Sequence, residues 1–166
     1  MLVIILCLLL FSSCEEQYYE RSETIQLDQT EIELQHIAEN ARSTLSSFFR
    51  HLANYNRRGG TRAQEHSFFV KYNFAADEYN DIEMEQVWLT GIHFRNGNFY
   101  GRLVNSPHHL SGIKKGDTVI ITIDLITDWM YIREGKIIGG YSIKYLLEKI
   151  PEEQRSEDQR ELLKMF

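Results

Sequence analysis

The spacing of apolar positions divides the chain into a helical first part, a strand-rich middle and a helical end. From Leu34 to Leu52, apolar and small residues recur at the three- and four-residue intervals of one helix face. Thr30 and Glu33 have the spacing of a capping box, which predicts that this helix begins near Thr30. Glycines after Asn56 predict that it ends there. The pattern therefore predicts one long amphipathic helix, which needs an apolar surface to cover.

Six short segments in the middle of the chain carry the pattern of β-strands. Apolar residues alternate with polar ones, most clearly in the first and fourth segments. Asn96-Gly97 and Glu134-Gly135 are dipeptides that predict tight hairpin turns. We therefore expect an antiparallel sheet of five to six short strands, and its tight turns leave open that it curls into a small barrel. The predicted strands are 68–74, 83–94, 98–104, 118–124, 129–132 and 137–138.

The end of the chain returns to a helical pattern. Gly139 and Gly140 interrupt the last strand, and the apolar stripe after them predicts a helix that ends at Pro151. Polar helix formers follow. The order of helix, sheet and helix predicts one α+β domain over residues 30–150, with a polar helical tail over residues 151–166.

The N-terminal residues have the pattern of an export signal. An unbroken apolar run covers residues 2–11, about half the length of a membrane-spanning helix. Small residues then precede Cys14, which resembles the lipobox of bacterial lipoproteins. The resemblance implies a signal peptide over residues 1–13 and a lipid on Cys14. We therefore expect an exported, membrane-anchored lipoprotein of the bacterial cell envelope. A plain cleaved signal peptide and an uncleaved anchor are the alternatives.

Composition and charge argue against several classes of protein. The chain has 166 residues, with 18 Lys and Arg against 24 Asp and Glu, and a formal net charge of −6. This acidic balance makes a nucleic-acid partner a poor fit. Eight acidic residues and one basic residue lie between Glu15 and Asn40, so the acidity is concentrated in a predicted tether, residues 14–29, and in the first helix. If Cys7 is removed and Cys14 carries lipid, no free thiol remains for catalysis or metal binding.

The longest predicted loop contains a first group of candidate binding residues. These residues are Asn105, Pro107, His108 and His109. Adjacent histidines in an extended segment point in opposite directions, so they form a metal site only if another ligand joins them. The sequence contains no metal-binding motif, and we expect no metal or other cofactor. The alternative interpretation is an ordinary exposed loop.

A second group of candidates surrounds the predicted fifth strand. Asp128-Trp129 indicates either an aromatic binding platform beside a carboxylate or an aspartate that caps a turn while the tryptophan fills the core. The structural interpretation is favoured. Gly139-Gly140, followed by Tyr141, indicates either an anion site at a helix N-terminus or a bare turn. It is not a P-loop, because no Gly-Lys-Ser/Thr follows.

Sequence blocks within residues 38–147 carry a family resemblance. The blocks include Phe69-Val70-Lys71, Gly101-Arg102-Leu103, Lys115-Gly116-Asp117-Thr118-Val119, Asp128-Trp129-Met130 and Gly139-Gly140-Tyr141. In these blocks the chain resembles the YegJ-like family, a bacterial domain of unknown function. The resemblance implies no activity, cofactor or catalytic residue. Because the family includes exported members, it agrees with the predicted signal.

These observations favour a binding protein over an enzyme. No catalytic motif stands out, and aromatic residues alternate along the strands, so one sheet face is expected to bind wherever the helices leave it uncovered. We expect a lipid-anchored module that binds an envelope protein or peptide. One alternative is a small envelope hydrolase that uses Asp128 with His108 or His109 in one cleft. The other is a purely structural envelope protein.

Overall fold

The computed structural model describes residues 24–57, 67–75 and 84–166, with side chains described from Thr30 onward. The predicted signal peptide, Cys14 and the first part of the predicted tether lie outside these ranges. None of the helices in the described ranges combines the length and the apolar character that crossing a bilayer requires.

The first helix, α1, runs from Thr24 to Arg57. Its start was wrongly predicted, because Thr30 and Glu33 lie inside the helix and do not cap it. Residues 24–29 contain no Gly or Pro and include Gln and Leu, which favour helix, so nothing in the sequence stops the helix at Thr30. The predicted apolar stripe is confirmed by the buried side chains Ala41, Leu45, Phe48 and Leu52.

Six antiparallel strands follow and form one sheet in the order β4-β3-β2-β1-β5-β6. The α+β prediction is confirmed, but the sheet is open and does not close into a barrel. Because α1 packs on the face that a barrel would enclose, side chains of the helix fill that space. The strands are β1 Phe68–Ala75, β2 Met84–Arg95, β3 Asn98–Leu103, β4 Thr118–Ile121, β5 Ile126–Arg133 and β6 Lys136–Gly139.

The two predicted hairpin turns are confirmed. Asn96 and Gly97 have φ values of 50° and 83°, and Glu134 has a φ of 52° before another glycine. Positive φ at both central residues is the geometry that matches the twist of paired strands. The fourth strand is shorter than predicted, because the chain turns into a short 3₁₀ segment at Ile123–Leu125 before β5.

Two apolar clusters lie on the opposite faces of the sheet. On the α1 face, the stripe of α1 packs against residues such as Val70, Leu89 and Trp129. On the other face, which we call the α2 face, lie helix α2 (Tyr141–Lys149) and helix α3 (Glu157–Lys164). The buried residues of that second cluster are Phe69, Trp88, Val104, Met130, Ile137, Ile143, Leu147 and Leu162.

The residues beyond Pro151 pack on the same sheet as the rest of the domain. Leu162 of α3 is buried in the cluster on the α2 face. The Ile137 N–H donates a hydrogen bond to the Met165 carbonyl (2.8 Å). The strand residues of the second cluster come mainly from β1, β5 and β6. Within the described part of the chain, no helix covers the α2 face of β3, β4 and the second half of β2.

Candidate functional site

Asp128 lies at the junction between β5 and helix α2. It is 0% exposed. One carboxylate oxygen accepts the N–H of Trp129 (2.7 Å) and that of Tyr141 (3.3 Å), and the other accepts the N–H (2.8 Å) and Oγ–H (2.7 Å) of Ser142. The N-cap residue of α2 is Gly140, which has no side chain with which to cap. Asp128 therefore supplies the cap from a neighbouring strand.

Burial raises the pKa of the Asp128 carboxyl, because a buried charge loses its hydration. The hydrogen bonds from Ser142 and Trp129 and the positive charge of Lys71 lower it, but they do not cancel the effect of burial. Both oxygens of this carboxylate accept hydrogen bonds from residues of β5 and α2. The geometry gives Asp128 a structural role in holding the first turn of α2.

Trp129 and the two glycines form the other half of this junction. The Trp129 indole N–H donates to the Ala41 carbonyl of α1 (2.8 Å), and the Gly140 N–H donates to the Trp129 carbonyl (2.8 Å). Gly139 has a φ of +82°, and a Cβ there would lie 2.2 Å from the Trp129 carbonyl oxygen. Only glycine fits this position. The start of α2, where the sequence suggested an anion site, is occupied by the protein's own Asp128 carboxylate.

Tyr141 joins the same junction to α1. Its ring meets Trp129 edge-on, with the ring centres 5.7 Å apart. Its hydroxyl lies 3.2 Å from the Thr44 Oγ1 atom, within hydrogen-bonding distance. The second group of sequence candidates therefore comes together as one cluster that connects α1, β5, β6 and α2.

The loop candidates lie at a different place, between β3 and β4. Glu85, at the start of β2, accepts hydrogen bonds from the backbone N–H groups of His108 (2.7 Å) and His109 (2.8 Å). The two imidazole rings are 6.4 Å apart, between centres, with a 51° angle between their planes. Pro107 is half-buried in this loop, and the Asn105 side-chain amide lies 3.5 Å from the Ser106 carbonyl. The loop is thus held by its backbone amides.

The two groups of candidates have separate sets of hydrogen-bond partners. Those of Asp128 belong to β5 and α2, whereas the amides of His108 and His109 bond to β2. A hydrolase that uses Asp128 with a loop histidine needs a hydrogen bond between them, and neither set includes one. Across residues 24–57, 67–75 and 84–166, no three His, Cys, Asp or Glu side chains form a group that could hold a metal.

The uncovered part of the α2 face carries a surface whose aromatic rings agree with the expected aromatic sheet face, but whose histidine and arginines were not predicted as site residues. His93 stacks on Tyr100, with ring centres 5.4 Å apart and 16° between the planes. A shallow depression beside them is lined by His93, Arg95, Asn96, Tyr100 and Thr118. Register places Thr118 beside Arg102 and Ile120 beside Tyr100, so these side chains share one face. We call His93, Arg95, Tyr100, Arg102, Thr118 and Ile120 the open sheet surface.

A basic charge distinguishes the open sheet surface from the acidic chain as a whole. Arg95 and Arg102 are exposed, and the ion pairs described for residues 30–57, 67–75 and 84–166 include neither of them. Gly91 leaves room for the Arg102 guanidinium, which lies 3.7 Å from the position that a Cβ on Gly91 would occupy. In the sequence, the residues of this surface alternate on both sides of the Asn96-Gly97 turn, at His93 and Arg95 before it and at Tyr100 and Arg102 after it.

Comparisons with known proteins found relatives without an assigned activity. A protein of Neisseria meningitidis serogroup B that is named an ankyrin repeat protein is 33% identical over 119 residues, which make up 72% of this chain and 46% of that protein. The uncharacterized protein YegJ of Escherichia coli K12 is 38% identical over 80 residues, which make up 48% of this chain and 52% of YegJ. The chain therefore spans about half the length of these relatives. No solved structure matches it.

The family assignment rests on most of the described domain. The model of the family described as "Uncharacterized protein conserved in bacteria (DUF2314)" matches residues 31–162, from α1 into α3. This range contains the Asp128 junction, the loop between β3 and β4 and the open sheet surface. The chain belongs to the DUF2314 family, which confirms the YegJ-like resemblance seen in its sequence.

Proposed function

We propose that this chain is a protein- or peptide-binding module of the bacterial cell envelope, held at the membrane through a lipid on Cys14, and that it is not an enzyme. The open sheet surface is the observation that carries the proposal. It is a part of a sheet face that α2 and α3 leave uncovered, and it combines stacked aromatic rings with arginines and an exposed isoleucine. Aromatic and Arg side chains are enriched at protein interfaces.

The Asp128 carboxylate is engaged in the fold and the backbone of the histidine loop is bonded elsewhere, which also supports a binding role. Asp128 caps α2, and the loop that carries His108 and His109 is held by Glu85. The relative named an ankyrin repeat protein adds indirect support, because ankyrin repeats form extended binding surfaces. These points favour a role in protein interaction over the hydrolase alternative.

The membrane anchor is the second part of the proposal, and it is tested by lipid labelling. Cells that express the chain are fed an alkyne fatty acid, and the labelled protein is detected after conjugation to a dye. We expect label on the native chain and none on Cys14→Ala, with the variant released from the membrane fraction. Label that persists on Cys14→Ala would rule out Cys14 as the anchor.

The binding role is tested by photo-crosslinking inside cells. A photoreactive amino acid replaces Tyr100 on the open sheet surface or, as the matched control, Glu148, whose side chain is exposed on α2. We expect a discrete crosslinked species from position 100, absent from position 148 and reduced when Cys14→Ala is added. Equal crosslinking from both positions, or none from position 100, would contradict the proposal.

A further inference from the structure

The open sheet surface ends at a strand edge with which no other strand of the described residues pairs. β4 lies at one end of the strand order, where it pairs with β3 on its inner side. Its residues, Thr118–Ile121, are Thr, Val, Ile and Ile, whereas exposed strand edges are commonly protected by Lys or Pro. Ile120 is 55% exposed. This is the kind of edge to which an extended segment can add as a further strand.

The register of the strands fixes what an added strand would meet. Thr118 pairs with Arg102 and Ile120 with Tyr100, and Tyr100 in turn pairs with His93. An added strand would extend these two rows, with its residues about 10 Å from the Cα atoms of β3, twice the spacing of neighbouring strands. An Arg102 side chain and a carboxylate side chain of the added strand span that distance together.

Charge indicates the chemistry of the segment. The side chains of Arg95 and Arg102 lie on the open sheet surface, and Lys114 and Lys115 are exposed in the adjoining loop. A second copy of the chain would bring the same arginines against this basic surface. An acidic segment would neutralise it, because opposite charges across an interface favour association.

We propose that the β4 edge binds an extended, acidic segment of a partner protein, which adds a seventh strand to the sheet beside β4. A carboxylate of the segment pairs with Arg102, and an apolar side chain packs against Ile120 and Tyr100. The proposal names the partner chemistry of the surface described above and rests on the proposed function.

The first test uses a display library of random twelve-residue peptides against the full chain, isolated in mild detergent. Peptides are selected for binding to the native chain and counter-selected on Arg102→Glu. We expect the recovered peptides to carry an acidic and an apolar residue two positions apart, so that both lie on one face of the added strand. Recovery of basic or charge-neutral peptides, or of no peptide, would overturn the proposal.

The second test measures the affinity of the most enriched peptide by fluorescence anisotropy. Arg102→Glu should weaken binding by about tenfold or more, because it replaces an attractive contact with a repulsive one. Arg133→Glu, an equal charge change at an exposed position on β5, should leave the affinity within about twofold. Urea midpoints within error of the native chain's confirm that both variants fold. Equal effects of the two substitutions would overturn the proposal.

Hydrogen exchange and three further measurements distinguish other occupants of the edge. Bound peptide should slow exchange at β4 amides, and unchanged exchange there would overturn strand addition.

Other occupants of the edge are tested separately. The proposal would be overturned if the chain binds phosphatidylglycerol vesicles through Arg102 but binds no peptide. It would also be overturned if sedimentation shows a dimer that Ile120→Glu dissociates. A tenfold gain in peptide affinity when Glu15, Glu16 and Glu20 are changed to Gln would assign the edge to the chain's own acidic segment. If these results exclude an acidic partner segment but position 100 still gives the crosslinked species, the proposed binding function is retained and only the partner assignment is wrong.

Discussion

Removal of the Asp128 carboxylate should strongly destabilise the domain. The carboxylate accepts four hydrogen bonds while fully buried, and three of the donors are backbone N–H groups. In Asp128→Ala these N–H groups lose their acceptor. The first turn of α2 then keeps buried donors with no partner, at the place where Gly140 offers no side chain.

The expected cost of Asp128→Ala is about 3 kcal/mol in the free energy of unfolding. A buried donor without a partner costs about 1–3 kcal/mol. The N–H groups of Trp129 and Ser142 are buried, whereas Tyr141 is half-buried and accessible to water. The variant also recovers the desolvation cost of the native carboxylate, which offsets part of the loss. Asp128→Asn, which keeps one acceptor oxygen but turns an NH₂ group toward a donor, should cost about 1–2 kcal/mol.

The assay is equilibrium unfolding in urea, followed by the fluorescence of the two buried tryptophans, Trp88 and Trp129. Ser142→Ala is the matched control, because it removes one donor and leaves the carboxylate, and should cost about 1 kcal/mol. The double variant of Asp128→Asn and Ser142→Ala should cost less than the two separate costs together, because the two residues share a contact. A loss below about 0.5 kcal/mol for Asp128→Ala would refute the capping argument.

The difference in unfolding free energy between the native chain and Asp128→Asn should depend on pH with a definite sign. Because burial raises the pKa of Asp128 in the folded state, its titration favours folding below the unfolded pKa, and this contribution is lost as the pH rises through the folded pKa. The stability advantage of the native chain over Asp128→Asn should therefore be larger near pH 4 than near pH 7. An advantage that shrinks on acidification would show that the hydrogen bonds outweigh burial.

Three further predictions concern other contacts described above. Gly139→Ala should cost about 3 kcal/mol, because its Cβ would meet a backbone oxygen. Gly140→Ala, whose Cβ would meet only side-chain atoms of Phe166 and Ile137, should cost about half as much; equal urea midpoints would contradict this. Glu85→Gln should speed amide exchange at His108 and His109, because one of the two acceptor oxygens is replaced by an NH₂ group; unchanged exchange would show that the loop is held by other contacts. Lys149→Ala should raise the pKa of Tyr145 further, because the hydrogen bond and positive charge of Lys149 lower it, whereas burial and the Glu33 bond, which raise it, remain; a spectroscopic titration of the tyrosines that shows a lowered pKa would contradict this.

Local patterns in the sequence were sufficient to predict the elements of this fold. The apolar stripe of α1, the strand alternation and the turns at Asn96-Gly97 and Glu134-Gly135 each depend on neighbouring residues. The start of α1 at Thr24 was missed because a capping-box spacing also occurs inside helices. The open form of the sheet was not decided by the strands, since it depends on which helix packs against them.

The candidate site was harder to predict, because it depends on contacts between distant elements. Asp128 was favoured as a residue that caps a turn, whereas in the structure it caps helix α2, and its partner Ser142 follows from the way that α2 folds back on β5. Arg102 and His93 alternate toward one face of the sheet, as many polar residues do. Their exposure results from the position of α2 and α3 over the other half of that face, and no local pattern encodes this position.

The pairing of β1 with β5 has a consequence for the folding and the partial unfolding of the domain. A hydrogen bond there joins Thr127 to Lys71 across 56 residues of chain, whereas β1 to β4 pair in order along the chain, as do β5 and β6. The sheet thus consists of two locally connected units that meet at one long-range strand pairing, and we expect this pairing to form more slowly than the local hairpins. Sub-global opening should follow the same division. The unit that presents the free edge can fluctuate while the unit that contains the capped helix stays folded.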